Sequence, residues 1–275
     1  YVAFHALRNG EVKPDTPAIV TKNALAEPPT KLGLPVGTSI PLETAIRVII
    51  VKSANDVAVM VAETVGGSEE AFIDRMNEAA KRLGMTSTQF ANPHGLPNEQ
   101  QYTTARDLAR LARALIIEFP EYADIFKMKS VAVGKRQLRT HNGLLRTFNG
   151  ADGMKTGFIC DSGFNIVVSA TRDGRKLVAV VLGEPSTRVR NARAAQLLEN
   201  GFKRYFWKSL FGTSLNGLAQ PADRADKPAH LRAVICGPRP KRKKTRRSDV
   251  TPDLFRLETP VTELADLPAL SPAIN

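Results

Sequence analysis

Two short clusters carry groups that could do chemistry together. Ser53-Ala-Asn55 offers a hydroxyl able to relay a proton and, two residues on, a carboxamide able to orient a substrate. Lys155-Thr-Gly157 offers an ammonium, a second hydroxyl, and a glycine against which a substrate can lie close to the backbone. Acyl transfer uses such groups beside a nucleophile, a base and an oxyanion hole. Either cluster alone says little, because a serine and an asparagine at a helix junction are ordinarily capping residues. Their placement on the surrounding elements decides.

Leu42, Ala45, Ile46, Ile49 and Ile50 repeat at helical spacing, which predicts a helix running toward Lys52 with one buried stripe. Asp56 to Val65 is apolar nearly all round and stops at Gly66-Gly67, the pattern of a second helix deep in the core. Ser53 and Asn55 therefore fall where two buried helices meet. A third helix is expected from Glu69 to Leu83 before Gly84, and a fourth after a capping Thr104, with Asp107 three residues on and Pro120 beyond its end. Past Ser130 the pattern turns to strands, at Val131–Val133, Met154–Ile159, Asn165–Thr171 and Lys176–Leu182. Asp173-Gly174 between the last two is a tight-hairpin signal, since both central positions of such a turn need positive φ. A final helix is expected from Arg188 to about Trp207, burying Leu198, Phe202, Tyr205 and Phe206.

Composition bounds the classes. The chain has 275 residues, 43% of them hydrophobic and 24% charged, which suits a globular protein with a sizeable core. No apolar run is long enough to span a membrane; the longest, Val48–Val65, is interrupted by Lys52, Asp56 and Glu63. The residues from Tyr1 onward do not have the pattern of a signal peptide. The net charge is +12, and seven basic residues crowd into 239–247. Such a run can meet nucleic acid, anionic lipid or an acidic polymer, or simply keep a tail in solution. Because periodicity fades after Gly212 and prolines accumulate, the chain divides into a domain at 1–212 and a Pro-rich basic tail at 213–275, expected to be largely disordered. Cys160 and Cys236 are expected to be unpaired, one near the clusters and the other in the tail. No internal repeat and no metal-ligand spacing is visible.

With the two clusters so placed, the chain resembles the D-alanyl-D-alanine carboxypeptidases among the low-molecular-mass penicillin-binding proteins. The motif set of that wider group, Ser-x-x-Lys with a Ser-x-Asn and a Lys-Thr-Gly, is an established association. Further stretches carry the resemblance over roughly Tyr1 to Phe206: Tyr-Val-Ala-Phe-His-Ala-Leu7, Asn92-Pro-His-Gly-Leu96, Tyr102-Thr-Thr-Ala-Arg-Asp-Leu108, Asn142-Gly-Leu-Leu145 and Gly150-Ala-Asp-Gly-Met-Lys-Thr-Gly157. It implies an α/β (α+β) fold of the penicillin-binding protein and β-lactamase type, an antiparallel sheet packed with a mainly helical subdomain.

The resemblance also implies roles. Ser53 would pass a proton to the departing D-alanine, and Asn55 would hold the acyl portion of the substrate. Lys155 would stabilise charge around Ser53 and the substrate carboxylate, to which Thr156 would donate a hydrogen bond. Gly157 would let the substrate lie close, and the Phe158 N–H would form one arm of the oxyanion hole. Arg190, with Arg188 as the fallback, would help fix the terminal carboxylate with its planar fork. The implied substrate is the peptidoglycan pentapeptide, the implied inhibitors of the full-length form are β-lactams, and no cofactor and no nucleic acid is expected. The full-length form would work in the periplasm or cell envelope.

One signature is not among these residues. Every serine is followed three positions later by something other than lysine, so the nucleophile and base are expected upstream of Tyr1, together with the family's opening strands. As it stands this sequence is expected to form no acyl-enzyme and to be poorly stable, its sheet edge being open. A β-lactamase is a less fitting reading, since no Glu-x-x-x-Asn supplies that class's deacylating base. A non-catalytic remnant binding peptidoglycan or nucleic acid is the third. His94 invites a general-base role, but a structural one is expected because the family's base is a lysine. Asp107 is read as a helix-start acid near Arg106 or Arg110, and Asp152 as part of the turn before its strand.

Overall fold

The computed structural model describes residues 1–211 and 230–238, with side chains to residue 204 and from 230. Helix α1 (Val2–Arg8) leads to strand β1 (Pro17–Ile19), helix α2 (Lys22–Ala26) and strand β2 (Ser39–Pro41), which pairs antiparallel with β1. Helices α3 (Leu42–Lys52), α4 (Asn55–Gly66), α5 (Glu69–Arg82) and α6 (Ala105–Glu118) follow. A 3₁₀ turn (Pro120–Tyr122) and α7 (Ala123–Lys127) lead into the hairpin of β3 (Ser130–Val133) and β4 (Arg136–Arg139). After α8 (Leu144–Thr147), strands β5 (Ala151–Ile159), β6 (Gly163–Arg172) and β7 (Arg175–Glu184) form an antiparallel sheet in chain order. Helix α9 (Thr187–Phe211) packs on that sheet, and a short α10 (Arg232–Cys236) ends the described chain.

The expected helices and the three-strand meander are present within a few residues of their sequence-based limits. Helix α4 is buried on nearly all faces, from Asn55 through Val65, which is why its apolar residues show no single stripe. It stops at Gly67, whose φ of +80° an L side chain rarely adopts. Ser68 and Thr104 cap α5 and α6 by accepting the N–H groups of Ala71 and Asp107. The β6–β7 hairpin pairs Arg172 with Arg175, leaving Asp173 and Gly174 as a two-residue turn with φ of +49° and +72°.

Two apolar clusters result. The larger joins α1, α3 and α4 to the β1–β2 and β3–β4 hairpins and includes Phe4, Leu42, Val57, Met60 and Phe119. The smaller lies between the β6–β7 face and α9, with Ile166, Val168, Val181 and Leu198 almost wholly removed from water. Leu198 and Phe202 take the places expected of them, whereas the side chains of Tyr205 and Phe206 lie outside the described residues.

Two expectations are overturned. Cys160 and Cys236 form a disulfide, with sulfurs 2.03 Å apart. A separation of 76 residues gave no local sign of it. Within the tail expected to be largely disordered, Arg232–Cys236 is a short helix tied to the β5–β6 turn, where the Leu231 N–H donates to the Asp161 carbonyl and Arg232 makes a two-point ion pair with the Asp161 carboxylate. The basic run at 239–247 lies outside the described residues. Asp152 is the other correction in position: it belongs to β5, at an irregularity between Ala151 and Gly153, and not to a preceding turn.

Candidate functional site

The cleft has a helical wall and a sheet wall. On the helical side, α3 ends at Ser53, whose backbone is left-handed at φ 57°, ψ 45°. A serine pays a steric penalty for that conformation, roughly 1–2 kcal/mol, so its neighbours must hold it there. Ala54 is extended and Asn55 begins α4, so the chain reverses direction within two residues between two buried helices. Asn55 is almost buried; its backbone N–H reaches the Thr30 carbonyl at 2.7 Å and its side-chain Nδ2 the Pro28 carbonyl at 2.9 Å. Asp56, the next residue, accepts from the N–H groups of Leu32 and Gly33 at 2.9 and 2.8 Å. The segment 28–33 is thus wrapped around the start of α4.

On the sheet side, β5 is paired only with β6, with Lys155 opposite Val167, Thr156 opposite Ile166 and Phe158 opposite Phe164. Its outer edge is unpaired among the described strands and presents backbone donors and acceptors. Lys155 Nζ crosses the cleft to Ser53 Oγ at 2.7 Å and also donates to the Thr156 carbonyl at 2.5 Å. Burial, and behind it the Arg190 guanidinium, lower the Lys155 ammonium from 10.5 to about 8. The proton on Nζ is therefore held less tightly than in an exposed lysine.

Arg190 is nearly inaccessible, and burial lowers its pKa too. Its guanidinium is held by the Asn191 Oδ1, reached from Nε and Nη2 at 3.1 and 2.9 Å, and by the Asn165 carbonyl at 3.4 Å. Arg188, the fallback, lies exposed. Gly157 is exposed, and an added Cβ would meet only the Asn165 Cβ at 3.8 Å, so no neighbour within the chain demands glycine there. The Phe158 ring leans on Phe164, centroids 4.2 Å apart, and is 49% exposed.

An apolar cavity of about 250 Å³ lies elsewhere, between α1, α3, α4 and α5. Its lining of residues such as Phe4, Ile50, Phe72 and Met76 offers almost no polar group to orient a substrate. The polar groups of the two signature clusters meet instead at the Ser53–Lys155 contact.

Several residues near the site were not singled out by the sequence, or were read differently. His141 faces the same cations: burial first, then Lys52, Lys155 and Arg190, lower its pKa, while a hydrogen bond with the Lys52 backbone opposes them. No metal-ligand or nucleophile spacing marks it, and only the fold brings it beside Lys155. Asp152 anchors the start of β5. Its carboxylate accepts from Ser169 and Thr171 at 2.6 Å each and meets Lys176 at 2.8 Å. Ser169 and Thr171 are two apart on β6 and so share a face. Lys176, Ser169 and Thr171 together keep the Asp152 carboxyl below its usual range, against the opposing effect of burial. Asp107 is a buried anchor, accepting from the Ser87 N–H and Thr88 hydroxyl, with Arg110 at 3.8 Å. His94 pairs with Glu27, Nε2 to Oε2 at 3.4 Å, and its Nδ1 accepts the Leu96 N–H.

A cleft joining a helix-junction Ser-x-Asn to a Lys-Thr-Gly on an edge strand is the architecture of penicillin-recognising acyl-transfer proteins. The D-alanyl-D-alanine carboxypeptidase profile (Peptidase_S11) matches residues 1–186, and the chain belongs to that family. It is 38% identical over 210 residues to the D-alanyl-D-alanine carboxypeptidase DacC of Escherichia coli (strain K12), covering 74% of this chain and 52% of that protein. Against DacA of the same organism the identity is 35% over 212 residues, with the same shares covered. The chain spans about half the length of these curated relatives.

Among solved structures, penicillin-binding protein 5 from Haemophilus influenzae is 32% identical with a TM-score of 0.70, over 74% of this chain and 61% of that one. Penicillin-Binding Protein D2 from Listeria monocytogenes in the cefotaxime bound form is 27% identical with a TM-score of 0.66, over 73% and 82%. The penicillin-binding protein fold expected from the motifs is the fold of this chain.

Proposed function

We propose that this chain carries the substrate cleft of a serine-type D-alanyl-D-alanine carboxypeptidase that trims peptidoglycan stem peptides. The observation that carries the reading is the 2.7 Å contact between Lys155 Nζ and Ser53 Oγ, made across 102 residues of chain between the two signature clusters. A peptide ending in D-alanyl-D-alanine lies along the open edge of β5, antiparallel to it, as an added strand. Its terminal carboxylate meets the Thr156 hydroxyl within the positive field of Lys155 and Arg190. The scissile carbonyl points at the Phe158 N–H, and Gly157 leaves the peptide room to approach.

Ser53 then relays a proton to the departing D-alanine. Its hydroxyl already accepts a hydrogen bond from Lys155 Nζ, so the relay needs no rearrangement on the helical wall. Asn55 presents its carboxamide oxygen to the substrate, its nitrogen being anchored by one hydrogen bond to the Pro28 carbonyl. In the family's motif set the acyl acceptor is the serine of a Ser-x-x-Lys. β-Lactams occupy the same cleft as mimics of the peptide. The Cys160–Cys236 disulfide supports work in an oxidising compartment such as the periplasm.

A labelled penicillin tests this on the protein made from its complete reading frame. The wild type is expected to take up label, and Lys155→Ala to lose it by at least about a hundredfold. Undiminished labelling of the variant refutes the role of Lys155. A wild type that neither takes label nor releases D-alanine from a pentapeptide refutes the activity.

A further inference from the structure

Asn55 does not hold itself in the cleft. Its two nitrogen donors end on the carbonyls of Pro28 and Thr30, so the position of its carboxamide is set by where the segment 28–30 lies. That segment has two anchors. One is Asp56, whose carboxylate holds the Leu32 and Gly33 N–H groups on the far side. The other is Glu27, the residue before Pro28, whose side chain meets the His94 imidazole.

His94 is itself built in. Its side chain is 7% exposed and that of Glu27 17%. The loop around it is closed by Asn92, which accepts the Gly95 N–H at 2.7 Å and donates to the Leu96 carbonyl at 3.0 Å. Gln101 accepts the N–H groups of Ala91 and Asn92 at 3.0 and 3.1 Å. Because Nδ1 accepts from the Leu96 N–H, the ring proton of the neutral imidazole is on Nε2, which lies 3.4 Å from Glu27 Oε2. The Nδ1 lone pair, the only one a neutral ring of this tautomer offers, is thus taken by the Leu96 N–H and is not free to act as a general base.

We propose that His94 is a positioning residue of the cleft: through Glu27 it fixes the 28–30 carbonyls that hold the Asn55 carboxamide toward substrate. This rests on the acyl-transfer reading of the cleft for its consequence, but not for its geometry. His94 touches no reacting atom. It ties the 91–96 loop, remote in sequence from both signature clusters, to the orientation of one of them.

Two measurements on the protein from its complete reading frame test the proposal. The first follows the Asn55 side-chain amide by NMR, assigned by its disappearance in Asn55→Asp. Hydrogen-bonded to Pro28, it exchanges slowly in the wild type. In His94→Ala its exchange is expected to quicken about tenfold, and in His94→Gln, which keeps a donor for Glu27, to return toward the wild-type rate. Exchange unchanged in His94→Ala and in Glu27→Ala overturns the proposal, whatever the protein's activity.

The second measures penicillin acylation in a double-mutant cycle. His94→Ala is expected to slow acylation about tenfold and Asn55→Ala about a hundredfold, with the double variant no slower than Asn55→Ala alone. Losses that multiply overturn the proposal, because they mean that His94 acts by another route. Should His94→Ala fail to fold, Glu27→Ala takes its place in the cycle, with the same outcomes. Absence of acylation in the wild type sinks the acyl-transfer reading instead, and the amide exchange still decides the positioning.

Discussion

The two walls of the cleft place their side chains by different means. Lys155, Thr156 and Phe158 are set by a ladder of antiparallel pairs whose partner strand begins four residues after β5 ends, so their register is local. Ser53 and Asn55 are set by tertiary contacts: a left-handed serine between two buried helices, and an asparagine tied to carbonyls at positions 28 and 30. A ladder tolerates change at its surface, whereas a junction assembled from distant segments depends on each of them. The sheet wall should therefore lose function chiefly through its own residues, and the helical wall also through residues far from the chemistry.

The largest effect expected is the loss of penicillin labelling in Lys155→Ala, since that side chain reaches from the sheet wall to Ser53 on the helical wall. Next is Cys236→Ser, which releases the segment held on the β5–β6 turn. A loop of this length corresponds to about 4.5 kcal/mol in the chain-entropy picture, read as a fall in denaturant midpoint. Loss of that stability with labelling kept would show that the staple serves the fold rather than the ladder beside Lys155.

Asp152→Ala is expected to cost about 2 kcal/mol, because it strips a carboxylate from two hydroxyls and an ammonium at the root of β5. A wild-type midpoint would mean that the register of β5 survives without its anchor. Ser53→Gly should separate stability from function. Glycine relieves the left-handed backbone, so the unfolding free energy is expected to stay within about 1 kcal/mol of wild type or to exceed it, while labelling collapses. A clear destabilisation would place more weight on the Lys155–Ser53 bond than the geometry suggests.

The remaining effect is on pH. Lys155 titrates near 8 in the fold against 10.5 for the free side chain, so between those values the unfolded chain binds the extra proton. Stability from this group is then expected to rise as pH climbs from about 8 to about 10.5, and to be flat below 8. Labelling is expected to decline above about pH 8, where the ammonium beside Ser53 is lost. A flat labelling profile to pH 10 would contradict the charged form's part in the cleft.

Most of the scaffold was legible because its signals are local. The apolar stripe from Leu42 to Ile50, the capping Thr104 and the Asp173-Gly174 turn each report on residues within one or two turns of themselves. The facing of Ser53 and Lys155 followed from the resemblance, and no periodicity could have supplied it. What escaped depends on long loops closing: the Cys160–Cys236 bridge, the approach of His141 to Lys155, the seat of His94 on Glu27, and Asp152 reaching across β6 to Lys176. For such contacts the partner can be anywhere in the chain, and residue type alone does not choose it.

Helix α9 unites two tasks on one rod. Arg190, Ala194 and Leu198 follow one another at intervals of four, so the guanidinium near Lys155 and the methyl groups plugged against the sheet share a single stripe. The azimuth of that positive charge is thus dictated by greasy packing two turns away. Inserting one residue between them would swing the guanidinium about 100° from its seat while every nearby polar residue stayed unaltered.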